Sequence, residues 1–110
     1  MTDQASPASK EPQTAQEFYT RGWFAHVRKD YKSAESDFQR AVSLDPSNAD
    51  AYYALGLSQS QQGLKAEAKQ AFKTALALLD EVAKKDPARA TILRNLAKSN
   101  LDIIEGFKGA

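Results

Sequence analysis

The sequence predicts an all-α chain of stacked helical hairpins closed by a long C-terminal helix, and three observations carry that prediction. From Ala15 onward the apolar residues recur with helical spacing, and runs of alternating apolar and polar residues are absent. Gly and Pro are sparse and fall between the periodic stretches. Residue types also recur 34 positions apart: Gly22 with Gly56, Ala34 with Ala68, Phe38 with Phe72 and Ala41 with Ala75.

The elements follow in order. "MTDQASPASKEPQT" is rich in Ser, Pro, Gln and Thr and offers almost no large apolar group to offset the entropy of ordering it, so residues 1–14 are expected to be a flexible tail. A first helix is predicted over 15–29, ended by the polar turn "RKDY", and a second over 31–44, ended by "LDPSN". A third runs over 49–62 up to Gly63, and a fourth over 65–85 up to "KKDP". The last spans about 88–107, with Ile92, Leu93, Leu96, Leu101, Ile104 and Phe107 expected to face inward. The domain is thus 15–110, with a first repeat at 15–48, a second at 49–85 and a capping helix at 87–108.

The segments "FYTRG" and "AESDFQRAVSLDP", then "YYALG" and "AKQAFKTAL", follow the order aromatic, Gly, Ala-x3-Phe at a 34-residue period, with Pro closing the first and Leu-Gly in the second. The chain resembles the tetratricopeptide repeat family from about Ala15 to Val82. The resemblance implies two repeats stacked as a short right-handed superhelix. Two departures stand out. Arg21 occupies a position where the family has Leu, which suits a side chain whose polar head reaches water. "ILRNLAKSNL" resembles a further first helix, but Gly56 to Ala97 is 41 residues, seven more than the period. Seven residues are close to two helical turns, so a lengthened fourth helix would keep the same face buried. Gly22 and Gly56 are expected where paired helices cross at close range, with Phe18, Tyr52, Phe38 and Phe72 filling the space between hairpins.

On the first helix Tyr19, Trp23 and His26 share a stripe beside that of Phe18, Gly22 and Ala25. In the family, the stripe next to the crossing face lines the concave surface, where peptides are held. The equivalent positions are Tyr53, Leu57 and Ser60 in the second repeat, and Thr91, Arg94, Asn95 and Lys98 in the last helix. An aromatic floor with a basic end is expected, with Tyr19, Trp23, His26, Tyr53, Leu57, Arg94 and Lys98 contacting a partner protein. Packing against the core is the other reading of Trp23 and Tyr53. Phe24 points to the edge where a preceding hairpin would stack and is the candidate for self-association into a homodimer. One subgroup of the family clamps a carboxylate with Lys, Asn and Arg. Tyr19, Trp23, Ala54, Thr91 and Asn95 stand at the corresponding places, so that activity does not carry over.

Composition narrows the function further. A net charge of +1 with interspersed charges provides no field suited to nucleic acid or an anionic membrane. With no Cys and one His, the chain has no thiolate zinc site, no cysteine nucleophile and no paired ligands for a metal. Neither a secretory signal nor a run of roughly 18 apolar residues is visible, and a reducing cytoplasm is the expected compartment. The sequence therefore points to a non-enzymatic interaction module, without cofactor, acting as scaffold or adaptor.

Overall fold

A computed structural model describes residues 11–106. The described chain is helical: α1 (Ala15–Val27), α2 (Tyr31–Leu44), α3 (Ala49–Gln61), α4 (Lys65–Ala77), α5 (Leu79–Lys85) and α6 (Pro87–Ile104). α1 pairs with α2 and α3 with α4 as hairpins, α2 packs on α3, and α6 lies across α4 and α5.

Most helix starts are fixed by side chains that accept orphan backbone N–H groups. Thr14 and Glu17 form a reciprocal capping box at α1, in which the Thr14 hydroxyl accepts from the Glu17 N–H at 3.1 Å. Asp30 accepts from Ser33 N–H at 3.2 Å, Asn48 from Ala51 N–H at 3.1 Å and Asp86 from Arg89 N–H at 3.1 Å. The two hairpins also turn alike. Gly63 N–H donates to Ser60 O and Leu64 N–H to Gln59 O, and 34 residues earlier Lys29 donates to His26 and Asp30 to Ala25. That turn requires the left-handed region, where Gly63 has φ +79° and Lys29 has φ +66°.

Each hairpin is built on one close approach. A Cβ added to Gly22 would lie 2.7 Å from Phe38 Cε1, and one added to Gly56 would lie 2.7 Å from Phe72 Cε1. Both rings are fully buried, so each glycine makes room for the aromatic that fills its hairpin. Phe38 joins Ala34, Ala41, Val42, Ala51, Ala54 and Leu55 between the hairpins, with Phe18, Tyr19, Trp23 and Tyr52 packed around them.

Four expectations change. The predicted 65–85 helix is interrupted at Leu78, and the interruption has a packing cause. On a continuous helix Leu76 and Leu78 would point about 200° apart, yet both pack with Leu79 and Val82 against Ala49 and Leu93. On α6, Ile92 and Leu96 are exposed instead of inward, whereas Leu93 is buried and Leu101 and Ile104 are half-buried as expected, with Ala90 and Ala97 buried beside them. Phe107 lies outside the described residues. Of the expected tail, residues 1–10 also lie outside them, whereas Thr14 caps α1 and Glu11 pairs with Arg21 at 3.2 Å. Finally, Arg21 does more than reach water: its Nε and Nη2 donate to both oxygens of buried Asp37 at 3.0 and 2.9 Å. That bidentate bond pushes the guanidinium pKa above its ordinary value, against the opposing effect of desolvation.

Candidate protein-binding surface

Trp23 sits above the first hairpin's crossing. Its ring packs edge-on against Phe38 at 5.3 Å between centroids, against Tyr19 at 6.1 Å and against His26 at 5.1 Å. Trp23 and Tyr19 are half-buried, so each packs in the hairpin while keeping part of its surface open to solvent. The two readings of Trp23, packing and exposed floor, therefore describe two sides of the same ring.

His26 ties three helices. Its Nδ1 lies 3.3 Å from the hydroxyl of fully buried Ser58 on α3, and its ring meets Tyr31 of α2 at 5.1 Å. Desolvation holds its pKa below the ordinary histidine value. A neutral imidazole with that partner is a structural junction beside Trp23.

In the second repeat Tyr53 and Leu57 pack under α6. The Tyr53 ring lies 5.6 Å from Phe72, and its hydroxyl accepts from Asn100 Nδ2 at 3.2 Å. Burial raises the Tyr53 pKa, and the Asn100 bond offsets part of that. Leu57 packs with Ala97, Leu101 and Ile104. Ser60 is half-buried at the end of α3.

Polar contacts fix how α6 is rotated. Arg89 pairs with Asp50, and Asn100 bonds Tyr53, both on α3, whereas Glu105 pairs with Lys69 of α4 at 3.2 Å. At about 100° per residue, Arg94 and Lys98 fall within about 20° of Glu105, on the α4 flank. The expected basic end of the groove is thus turned away from Tyr53. Ile92, Leu96, Ser99 and Ile103 lie instead within about 60° of one another, on the side of Arg89 and Asn100. The three apolar members are 59%, 42% and 70% exposed. This second stripe was visible in the sequence as the spacing 92, 96, 99, 103, but Ser99 interrupts it and spacing alone does not say which stripe of α6 is buried.

The outer end of the first hairpin differs from the interior of the stack. Where the second repeat has buried Ala51, Ala54, Leu55 and Ala71 facing α2, the first has Glu17, Thr20, Arg21 and Asp37 34 residues earlier. Apolar side chains remain there at Phe24 and Val27, 64% and 76% exposed, which with Tyr19, Thr20 and Trp23 border an open hollow of about 230 Å³. Among the described residues there is no cluster of His, Asp or Glu able to hold a metal ion, and no helix is long and apolar enough to cross a membrane.

Comparison with known proteins agrees with this architecture. A family model described as "TPR repeat" matches residues 27–63, and one described as "Tetratricopeptide repeat" matches residues 49–78. A chain of a solved structure described as "CopN-Scc3 complex" superposes with a TM-score of 0.59 at 16% identity, covering 86% of this chain and 68% of that one. At that identity the likeness concerns the fold. No curated protein matches the chain.

Proposed function

Because the chain belongs to the tetratricopeptide repeat family, a protein-interaction fold, we propose that it is a non-catalytic scaffold or adaptor, acting in the cytoplasm, that holds a segment of another protein against the side formed by α1, α3 and α6. The observation that carries this reading is an apolar surface with few free charges. Trp23 and Tyr19 on α1 are half-buried and Ile92, Leu96 and Ile103 on α6 are exposed, while the half-buried Tyr53 and Leu57 on α3 lie under α6. The charged pair beside it, Arg89 with Asp50, is mutually neutralised. Exposed apolar groups with a polar rim are typical of interaction surfaces, and aromatic side chains supply much of the affinity at such places. His26 supports Trp23 from below. Arg94 and Lys98 have no part in this surface, so acidic peptides gain nothing from them.

Capture from a native extract on immobilised wild-type chain tests the reading, beside Trp23→Ala and a control on α4, Lys73→Glu. A band retained by wild type and the control but lost with Trp23→Ala supports it, provided circular dichroism shows that the variant keeps its helix. A band lost with Lys73→Glu and kept with Trp23→Ala contradicts it.

A second reading, self-association, is favoured by the exposed Phe24 and Val27 beside the α1 hollow. Sedimentation separates the two: a dimer dissolved by Phe24→Glu supports homodimerisation, and a monomer at micromolar concentration removes it.

A further inference from the structure

We infer that Ile92, Leu96, Ser99 and Ile103 form a seam on α6 that seats one α-helix of a partner protein, an amphipathic helix whose contacting stripe is apolar and uncharged. The inference rests on the proposed role of the α1, α3 and α6 side, and it adds the partner's conformation and chemistry.

Spacing is the first argument. Successive members are separated by four, three and four residues, the interval at which one helix packs its side chains into the spaces of another. The stripe runs along about three turns, or roughly 16 Å, of a regular helix. Small Ser99 sits near its centre, where a missing bulk lets a second helix come close, as Gly22 and Gly56 do beneath Phe38 and Phe72.

Charge is the second. Arg89 is held by Asp50, Glu105 by Lys69, and Arg94 and Lys98 lie on the far flank with Glu105. Asn95 and Asn100 border the seam, with Asp102 at its margin. A charged residue on the partner's central stripe would be desolvated with no opposite charge to meet it, whereas an aliphatic one gains. A basic residue at the partner's margin could face Asp102 while remaining hydrated.

Area bears on the occupant's length: three partly exposed side chains fall well short of the roughly 1,200 Å² in total that stable specific pairs bury, so the partner helix has to run on past the seam along α6 and α3.

The test titrates full-length chain with a synthetic amphipathic peptide of about three heptads, carrying Leu at the seam positions and balanced Lys and Glu elsewhere. Calorimetry gives the affinity, amide NMR shifts give the place, and sedimentation gives the stoichiometry. Saturable one-to-one binding is expected, with shifts on α6. Affinity should change less than about twofold between roughly 0.05 and 0.5 M salt. It should fall at least about tenfold for the exposed double variant Ile92→Ser, Leu96→Ser, and likewise for a peptide with Glu at two central seam positions. A seam variant that binds normally while Trp23→Ala does not would overturn the inference and leave the proposed groove standing. The converse pattern would keep the seam and remove the aromatic end of the groove. Lack of saturable binding, or a seam that joins two copies of this chain, overturns the inference as well.

Discussion

At the scale of single residues, three positions explain more than their size suggests. Gly56 lies where a methyl group would come within 2.7 Å of a Phe72 ring that has no room to move. Gly56→Ala should therefore destabilise the fold by roughly 1–3 kcal/mol in a urea titration, although alanine is intrinsically the better helix former by about 1 kcal/mol. An unchanged midpoint would mean the helices do not cross there. Lys29 occupies the left-handed position filled by Gly63 in the second hairpin, so Lys29→Gly should stabilise by about 0.5 kcal/mol, the released strain outweighing the added freedom of the unfolded chain. His26 supplies the pH dependence. Burial depresses its folded pKa, so the unfolded chain takes up a proton that the folded chain resists. Its contribution is fully present above the ordinary value of about 6.5 and is lost as pH falls from there through the depressed folded pKa. Thermal melts should weaken over that window in the wild type, and His26→Gln should lose that part of the slope; parallel profiles would show that the ring titrates normally. The glycines and aromatics were legible in the sequence because steric exclusion repeats at a fixed period. Lys29 was not, because a turn that usually recruits glycine here accepts a lysine at a conformational cost.

The helical elements show why periodicity determines most, but not all, of the architecture. Four of the five expected helices appear within a few residues of their predicted bounds, since their caps and breakers are local. The fourth splits at Leu78 without any Gly or Pro to announce it, because the interruption is imposed by what Leu76, Leu78 and Leu79 pack against. α6 has two apolar stripes, and of the residues expected inward it turns Leu93, Leu101 and Ile104 to the core and Ile92 and Leu96 to solvent. At the other end, Arg21 and Asp37 replace the Leu55 and Ala71 of the second repeat, so α1 and α2 present a polar face outward. Arg21→Leu alone leaves the Asp37 carboxylate buried without its principal partner and should cost about 1–3 kcal/mol. Adding Asp37→Ala recreates the second-repeat pair and should recover most of that stability, while giving an apolar end beside Phe24 that associates. Additive losses in a double-mutant cycle, with no change in sedimentation, would contradict this account.

For the whole molecule, the central claim is that α1, α3 and α6 form one protein-binding side whose floor is also part of the core. Trp23 shows how the two roles combine: Trp23→Ala should cost about 2 kcal/mol of stability, below the roughly 3–5 kcal/mol of a fully buried aromatic, because its ring packs on Phe38 and Tyr19 but keeps part of its surface open to solvent. That Tyr19, Trp23 and His26 lie together was legible from their helical spacing. The basic end was not, since the rotation of α6 carries Arg94 and Lys98 onto the α4 flank and brings Ile92, Leu96 and Ile103 to the surface. The most direct measurement is site-specific photo-crosslinking in the native cell, with p-benzoylphenylalanine placed at Trp23, at Ile92 or at Lys73 on α4. The account predicts that Trp23 and Ile92 yield adducts with the same partner protein and that Lys73 does not. Adducts formed only from Lys73, or different partners from Trp23 and Ile92, would contradict it.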